Sequence, residues 1–122
     1  MLQTTTNMTA EIAQAAMAFQ QQQTGHEPKS VSVAVCGDTL VVTLHGVLSP
    51  AEQAMAHSRE AAKLRELYRQ LFLATSETLR QEINRVTGLV VNEDAVEVFL
   101  TSGTIVQVFL LSGKVPSESF DG

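Results

Sequence analysis

The sequence has one cysteine, no tryptophan and no long apolar run, and these shortages exclude several classes of protein. The single cysteine, Cys36, cannot form an internal disulfide, so nothing indicates an oxidising compartment. No stretch approaches the roughly 18–20 apolar residues that a membrane-spanning helix needs. Residues 1–9 lack the basic and apolar regions of a signal peptide. We therefore expect a soluble, cytoplasmic protein that does not insert directly into a membrane.

The composition is that of one folded domain. The chain has 122 residues, of which 44% are hydrophobic and 17% charged, which excludes wholesale disorder. Its formal net charge of −5 argues against general binding to nucleic acid. We expect a disordered N-terminus over residues 1–8, a single domain over residues 9–111 and a flexible tail over residues 112–122.

The first third of the chain predicts a helix followed by a β-hairpin. Apolar residues recur at helical spacing from Met8 to Phe19, and Gly25 is a natural end for that helix. Valines then alternate with small residues over 31–35, which is typical of a half-buried strand. A second strand is expected over 39–45, and Gly37 can adopt the positive φ that a tight turn between the two strands requires.

A strong helix-start signal follows at residues 49–52. Ser49 can accept the backbone N–H of Glu52, and the Glu52 side chain can reach back to the cap. Pro50 stands at the first helical position, where its missing N–H costs nothing. Together with Gly46, these residues predict a structural unit made of a strand end, a turn and a capped helix. The helix is expected to pause near His57 and Ser58 and to continue over residues 59–87.

The last part of the domain predicts a second hairpin over residues 89–111, with its turn at Ser102-Gly103. The element order is therefore α-ββ-α-ββ. We expect an α+β fold in which two hairpins form one antiparallel four-stranded sheet, packed by one long helix and an N-terminal helix.

The returning strand of this hairpin is apolar on both faces, which predicts that something covers each of them. The N-terminal helix or a second copy of the chain could cover the second face. We expect a homodimer, because closed two-fold dimers are the commonest soluble oligomers. The predicted interface lies on the second face of the sheet or on the long helix, with these candidate residues: Ile105, Phe109, Leu111, Phe99 and Leu73.

No residue pattern predicts catalysis or metal binding. The histidines His26, His45 and His57 have no metal-ligand spacing, and Cys36 has no cationic neighbour to activate it. Nucleophile, phosphate-loop and dinucleotide motifs are all missing. We therefore expect a protein that is not an enzyme, with no catalytic residue, no metal site and no cofactor.

The long helix carries a possible anion contact. Arg65, Arg69 and Arg80 share one flank of it and could touch phosphate or another anionic ligand. The alternative is a self-neutralised, solvated face, because four glutamates each stand three residues before a basic residue. No aromatic residues interleave with the arginines to stack on nucleotides. The second interpretation is favoured, and nucleic acid is not an expected partner.

Three segments resemble a known family. Residues 25–31 resemble its G-x-G-P junction before the first strand, although Glu27 replaces the second glycine. Residues 44–52 resemble its motif L-x-G-V-L-T-P-A-E, with Ser49 at the cap. Residues 86–88 and 106–109 resemble its L-T-G and V-x-V-F segments. The family is MpsC, which takes its name from a Na⁺-translocating membrane-potential-generating system, and the resemblance covers roughly residues 9–111.

The resemblance implies a small, non-catalytic accessory or regulatory protein. It would contact subunits of a membrane system for cation translocation or inorganic-carbon uptake. The family brings no catalytic residues with it. The alternative is a regulator that binds a small ligand or nucleic acid through the flank of Arg65, Arg69 and Arg80.

Overall fold

The computed structural model of the chain describes residues 5–115. Its element order confirms the predicted α+β fold, with the long helix divided in two. The elements are α1 Thr5–Thr24, β1 Ser30–Cys36, β2 Thr39–His45, α2 Pro50–Ala56, α3 Ala61–Thr87, β3 Val91–Phe99 and β4 Thr104–Leu111.

The four strands form one antiparallel sheet in the order β1-β2-β4-β3. The second strand of each hairpin is therefore a central strand, and the first strand of each lies at an edge. Phe99 pairs with Thr104, so the second hairpin turns through four residues, two more than the sequence pattern predicts. One register shift, between Val91 and Glu93, lies near the start of β3.

Both long helices lie on the same face of the sheet. Helix α1 packs on β1 and β2, α3 packs on β3, and the two helices also contact each other. The core between the layers contains fully buried side chains from all of them, among them Ile12 of α1, Tyr68 and Ile83 of α3, Leu40 of β2 and Phe109 of β4. The molecule thus has two layers, and α1 does not cover the second face of the sheet.

The ends of the domain differ from the sequence-based boundaries. Helix α1 begins at Thr5, inside the segment expected to be disordered, because Met8 is buried in the core and anchors the first turn. Residues 1–4 lie outside the described residues. After β4, the Ser112 N–H donates to the Val90 carbonyl at 2.8 Å and the Val115 N–H donates to the Gly37 carbonyl at 3.1 Å. The expected flexible tail therefore starts with hydrogen-bonded backbone, and residues 116–122 lie outside the described residues.

The predicted pause in the helical segment is confirmed. Helix α2 ends at Ala56 and α3 begins at Ala61. In the connection, the Ser58 hydroxyl accepts the Glu60 N–H at 3.0 Å. This local bond gives the backbone an alternative to continuous helix.

Residues 44–52 form the strand end, turn and capped helix that the sequence predicts. The Glu52 N–H donates to Ser49 Oγ at 3.3 Å, and the Ser49 N–H donates to Glu52 Oε1 at 2.9 Å. Pro50 occupies the first turn of α2. Gly46 has φ +65°, and a β-carbon there would lie 2.6 Å from the Lys29 Cγ. Glycine is required at this position both for its conformation and for the space that Lys29 fills.

Glu52 also connects the start of α2 to the core. The buried Tyr68 hydroxyl of α3 donates to Glu52 Oε1 at 2.8 Å. Burial, the hydrogen bond to Glu52 and the charge of Glu52 all raise the pKa of Tyr68, so the phenol remains a donor at physiological pH. The same carboxylate oxygen therefore accepts bonds from the cap and from the core.

The capping unit can be tested by replacing Ser49. We expect Ser49→Ala to lower the free energy of unfolding by about 1 kcal/mol, because the Glu52 N–H loses its acceptor. Tyr68→Phe should cost about 1–3 kcal/mol, since it removes a buried donor from a charged acceptor. Urea denaturation followed by circular dichroism measures both. Unchanged stability of Ser49→Ala, together with the loss of a cellular activity, would show that this segment is functional rather than structural.

Candidate functional site

The sheet face that points away from α1 and α3 is the largest candidate for an interaction surface; we call it the open face. No part of residues 5–115 covers it. Phe99 is 49% exposed and Leu110 is 40% exposed on it. Its other apolar side chains are Ala34, Val41, Ala95, Val106 and Val108, and the rest of the face is polar or small: Ser30, Ser32, Cys36, Thr39, Thr43, His45, Glu93, Glu97 and Thr104.

An apolar row crosses the centre of the open face. Ala34 pairs with Val41, Val41 with Val108, and Val108 with Ala95, so the row spans all four strands. Directly opposite side chains in antiparallel strands lie about 4.5–5.5 Å apart and contact one another. The row is therefore continuous, and it is flanked by Val106 on one side and Leu110 on the other. Contiguous apolar surface on a folded chain is a candidate interaction site.

The open face is asymmetric in charge and size. Its carboxylates, Glu93 and Glu97, both lie on β3 at one edge. The opposite edge, β1, presents only small side chains, the largest of which is Cys36. None of the four described strands contains lysine or arginine. Any partner of this face would have to match an aliphatic centre, one acidic edge strand and one edge strand with only small side chains.

The expectation that Ile105, Phe109 and Leu111 are exposed is wrong. Ile105 and Phe109 are fully buried and Leu111 is 4% exposed, because these residues form the face of β4 on which the helices pack. The alternate positions of β4 face away from the helices, with Val106 and Val108 half-buried and Leu110 exposed. Since the side-chain period of a strand is two, choosing the wrong face reverses the whole set.

The wrong assignment of the two faces of β4 has an identifiable cause. The sole polar residue within 105–111 is Gln107, which suggests a solvent-facing position, yet Gln107 is 3% exposed on the covered face. A better signal was available in β3. Glu97 pairs with Val106, so the carboxylate on the neighbouring strand marks the face of Val106 as the one without helices.

The two remaining interface candidates do not share a surface. Phe99 lies on the open face, whereas Leu73, 47% exposed, lies on α3 in the helix layer. Leu67 is also exposed in the same helix, at 52%. Phe99 and the α3 leucines therefore belong to two surfaces on opposite sides of the molecule.

The three arginines proposed as an anion contact are not equivalent. Arg80 Nε donates to Asp94 Oδ2 at 2.7 Å, an ion pair that joins α3 to β3. Arg65 and Arg69 are exposed one helical turn apart. Of the four predicted pairs along the helix, Glu60 with Lys63 and Glu82 with Arg85 form. Arg80 thus stabilises the fold and leaves only two arginines on the flank.

The histidines and the cysteine stay apart. Cys36 is exposed at the end of β1 and His45 is exposed at the end of β2. Within residues 5–115, no three His, Cys, Asp or Glu side chains come together in a group that could hold a metal ion. Across the same residues, no helix combines the length and hydropathy that are needed to cross a bilayer.

Comparison with known proteins identifies one family. The family model described as "Na+-translocating membrane potential-generating system (MpsC)" matches residues 4–113. No curated protein and no solved structure matches the chain. The match extends over α1, α2, α3 and all four strands, and therefore includes the open face.

The assignment of the two faces of β4 can be tested with a matched pair of substitutions. Phe109→Glu should prevent folding or cost several kcal/mol, because it places a carboxylate in the core. Val108→Glu, one position away on the open face, should change the unfolding free energy of the monomer by less than about 1 kcal/mol. Thermal unfolding at low protein concentration measures both. Equal destabilisation by the two substitutions would contradict the assignment.

Proposed function

The chain belongs to the MpsC family of the Na⁺-translocating membrane potential-generating system, and we propose on this basis that it is a non-catalytic accessory protein of such a system. It acts in the cytoplasm, through protein–protein contacts with transport subunits. The observation that carries the proposal is the match of the family model to residues 4–113, and the open face adds a surface suited to binding a protein rather than to chemistry.

The first partner of the open face is a second copy of the chain. Leaving apolar surface in water costs about 25 cal/mol for each Å², and a self-complementary contact removes that cost from two molecules at once. The central row, with Ala34 and Ala95 at its ends and Val41 and Val108 between them, is symmetric in size about its midpoint. A surface with this property can pack against itself.

The open faces of two copies can be paired by a two-fold axis in two simple ways, and repulsion between carboxylates favours one of them. If the two-fold axis crosses the strands, β3 lies over β3 of the partner, and Glu93 and Glu97 of each copy face one another. Like charges placed opposite each other are destabilising. If the axis runs along the strands, β3 lies over the small side chains of β1 instead, Ala34 faces the partner's Ala95, and the carboxylates are separated. We propose the second arrangement.

The size of the face limits the affinity. Four strands at about 4.8 Å spacing and seven residues at about 3.3 Å each cover roughly 400 Å² in projection. Standard interfaces bury about 800 Å² on each partner. The sheet alone therefore provides a contact at the low end of specific interfaces, and we expect a dimer that dissociates at micromolar concentration.

Dimerisation through the open face leaves the helix layer available to the membrane system. Leu73 of α3 is 47% exposed in that layer, and Arg69 and Arg65 lie one and two turns before it on the same flank of the helix, whereas Leu67 lies on the opposite flank. Arg65, Arg69 and Leu73 define what we call the α3 surface. Because the exposed Glu77 lies one turn after Leu73, a transport subunit whose cytoplasmic segment combines an apolar side chain with charges of both signs would complement it.

The alternative, a regulator that binds nucleic acid or a small ligand through the arginine flank, has less support. Arg80 is engaged with Asp94 at 2.7 Å, which removes one of the three proposed contacts. The net charge of −5 also opposes binding to a polyanion. A protein contact on the α3 surface needs only the exposed Arg65, Arg69 and Leu73.

The dimer can be tested by sedimentation velocity from about 1 to 100 µM. Reversible dimerisation should appear over this range, and Val108→Glu should abolish it because two carboxylates would enter the centre of the contact. Leu73→Glu is the matched control on the other layer and should leave the dimer intact. A monomer at every concentration, or a dimer that survives Val108→Glu with the fold retained, would contradict the proposal.

Association with a transport system can be tested by affinity purification from detergent-solubilised membranes of the native cells. The tagged wild-type chain should retain subunits of a Na⁺-translocating or inorganic-carbon transport system, identified by mass spectrometry. Leu73→Glu should lose these subunits while it remains a dimer. Retention of no transport subunit by the wild type would contradict the accessory role, and equal retention by Leu73→Glu would exclude the α3 surface as the contact.

A further inference from the structure

A cavity of about 180 Å³ lies at the end of the sheet where β2 and β3 end. Four parts of the chain meet there: Lys29 before β1, the turn after β2, the end of α2 and the connection between β3 and β4. Lys29 belongs to the segment 25–31 and the turn after β2 belongs to the segment 44–52, two of the segments that resemble the MpsC family. The cavity is therefore built by parts of the chain that are distant in sequence.

Backbone hydrogen bonds fix its walls. The Lys29 N–H donates to the His45 carbonyl at 2.8 Å, and the Val47 N–H donates to the Gly103 carbonyl at 3.0 Å. The Lys29 stem lies against Gly46, which has no side chain to displace it. Lys29 is thus held in place both by its backbone hydrogen bond and by the contact of its aliphatic stem with Gly46.

The lining is cationic and rich in hydrogen-bond donors. It contains Lys29 and His57, the amide of Gln53 and the hydroxyls of Thr101 and Ser102, but no aspartate or glutamate. This is the reverse of the whole chain, in which 13 acidic residues outnumber 8 basic ones. Within the described part of the chain, neither Lys29 nor His57 forms an ion pair. Both remain available to an anion.

We propose that this cavity binds a small oxyanion. Lys29 provides the positive charge, and His57 and the Thr101 hydroxyl donate hydrogen bonds. Gln53 donates its second amide N–H, since the first is bound to the Leu48 carbonyl at 3.2 Å. The Ser102 hydroxyl donates to Thr104 Oγ1 at 2.9 Å and offers the anion no proton. Pockets for drug-sized ligands have volumes of about 300–1,000 Å³, so a volume of about 180 Å³ favours a free inorganic or short carboxylic anion over a nucleotide. The proposal does not depend on the role of the open face or of the α3 surface.

The experiment is a titration of the ¹⁵N-labelled full chain, followed by amide NMR at constant ionic strength. Inorganic phosphate is the tetrahedral probe and acetate the planar one, with chloride as the compensating anion. We expect saturable shifts confined to Gly46, His57, Ser102, Gly103 and their neighbours. A stronger response to phosphate would identify a tetrahedral anion as the ligand class, and a stronger response to acetate a carboxylate.

Substitutions distinguish a built site from general attraction to charge. Lys29→Gln and His57→Gln should each weaken binding of the preferred probe by about tenfold or more, the effect of losing one charge-assisted hydrogen bond. Lys63→Gln makes the same charge change as Lys29→Gln on an exposed, ion-paired side chain of α3 and should leave binding unchanged. If Lys29→Gln fails to fold, the exposed His57→Gln carries the test. Shifts that do not saturate, or that Lys63→Gln reduces equally, would overturn the proposal.

Discussion

Both long helices of this protein lie on one face of its sheet, and the other surfaces follow from that arrangement. A short connection leads from α1 to β1, and α1 packs at once on that hairpin and on α3. The Arg85 guanidinium of α3 reinforces the contact by binding Glu11 of α1 at 3.2 Å. Because α1 packs on the same side of the sheet as α3, it cannot cover the open face. The aliphatic row at the centre of the open face therefore stays outside the core.

Two polar connections hold the helix layer in register with the sheet. Glu52 accepts from both Ser49 and Tyr68, so the start of α2 is tied to the buried side of α3. Arg80 and Asp94 join the other half of α3 to β3. A rigid attachment of α3 presents Arg65, Arg69 and Leu73 in a fixed position, as a docking surface requires. The accessory role that we propose depends on such fixed, separate surfaces.

The sequence predicts the elements better than their relative placement. The alternating valines of β1 and the capping residues Ser49 and Pro50 act locally, and their predictions are confirmed, as is the predicted end of the long helix at residue 87. The face of β4 could not be obtained in this way, since both of its faces are apolar and Gln107 is buried. Likewise, the pairing of Arg80 with Asp94 joins residues 14 positions apart and competes with the local partner Glu77. Such choices are made by tertiary packing, which helical or strand periodicity does not encode.

The pairing of two open faces is tested most directly by cross-linking across the central row. The chain is prepared with Cys36→Ser, Ala34→Cys and Ala95→Cys and treated with a short bis-maleimide. Within one chain these two positions lie on opposite edge strands, about 14 Å apart, with the side chains of Val41 and Val108 between them. The proposed two-fold axis brings position 34 of one copy over position 95 of the other. It therefore predicts efficient formation of a covalent dimer from the double variant and little from either cysteine alone. Cross-linking of Ala34→Cys to itself, or no covalent dimer at all, would contradict this arrangement.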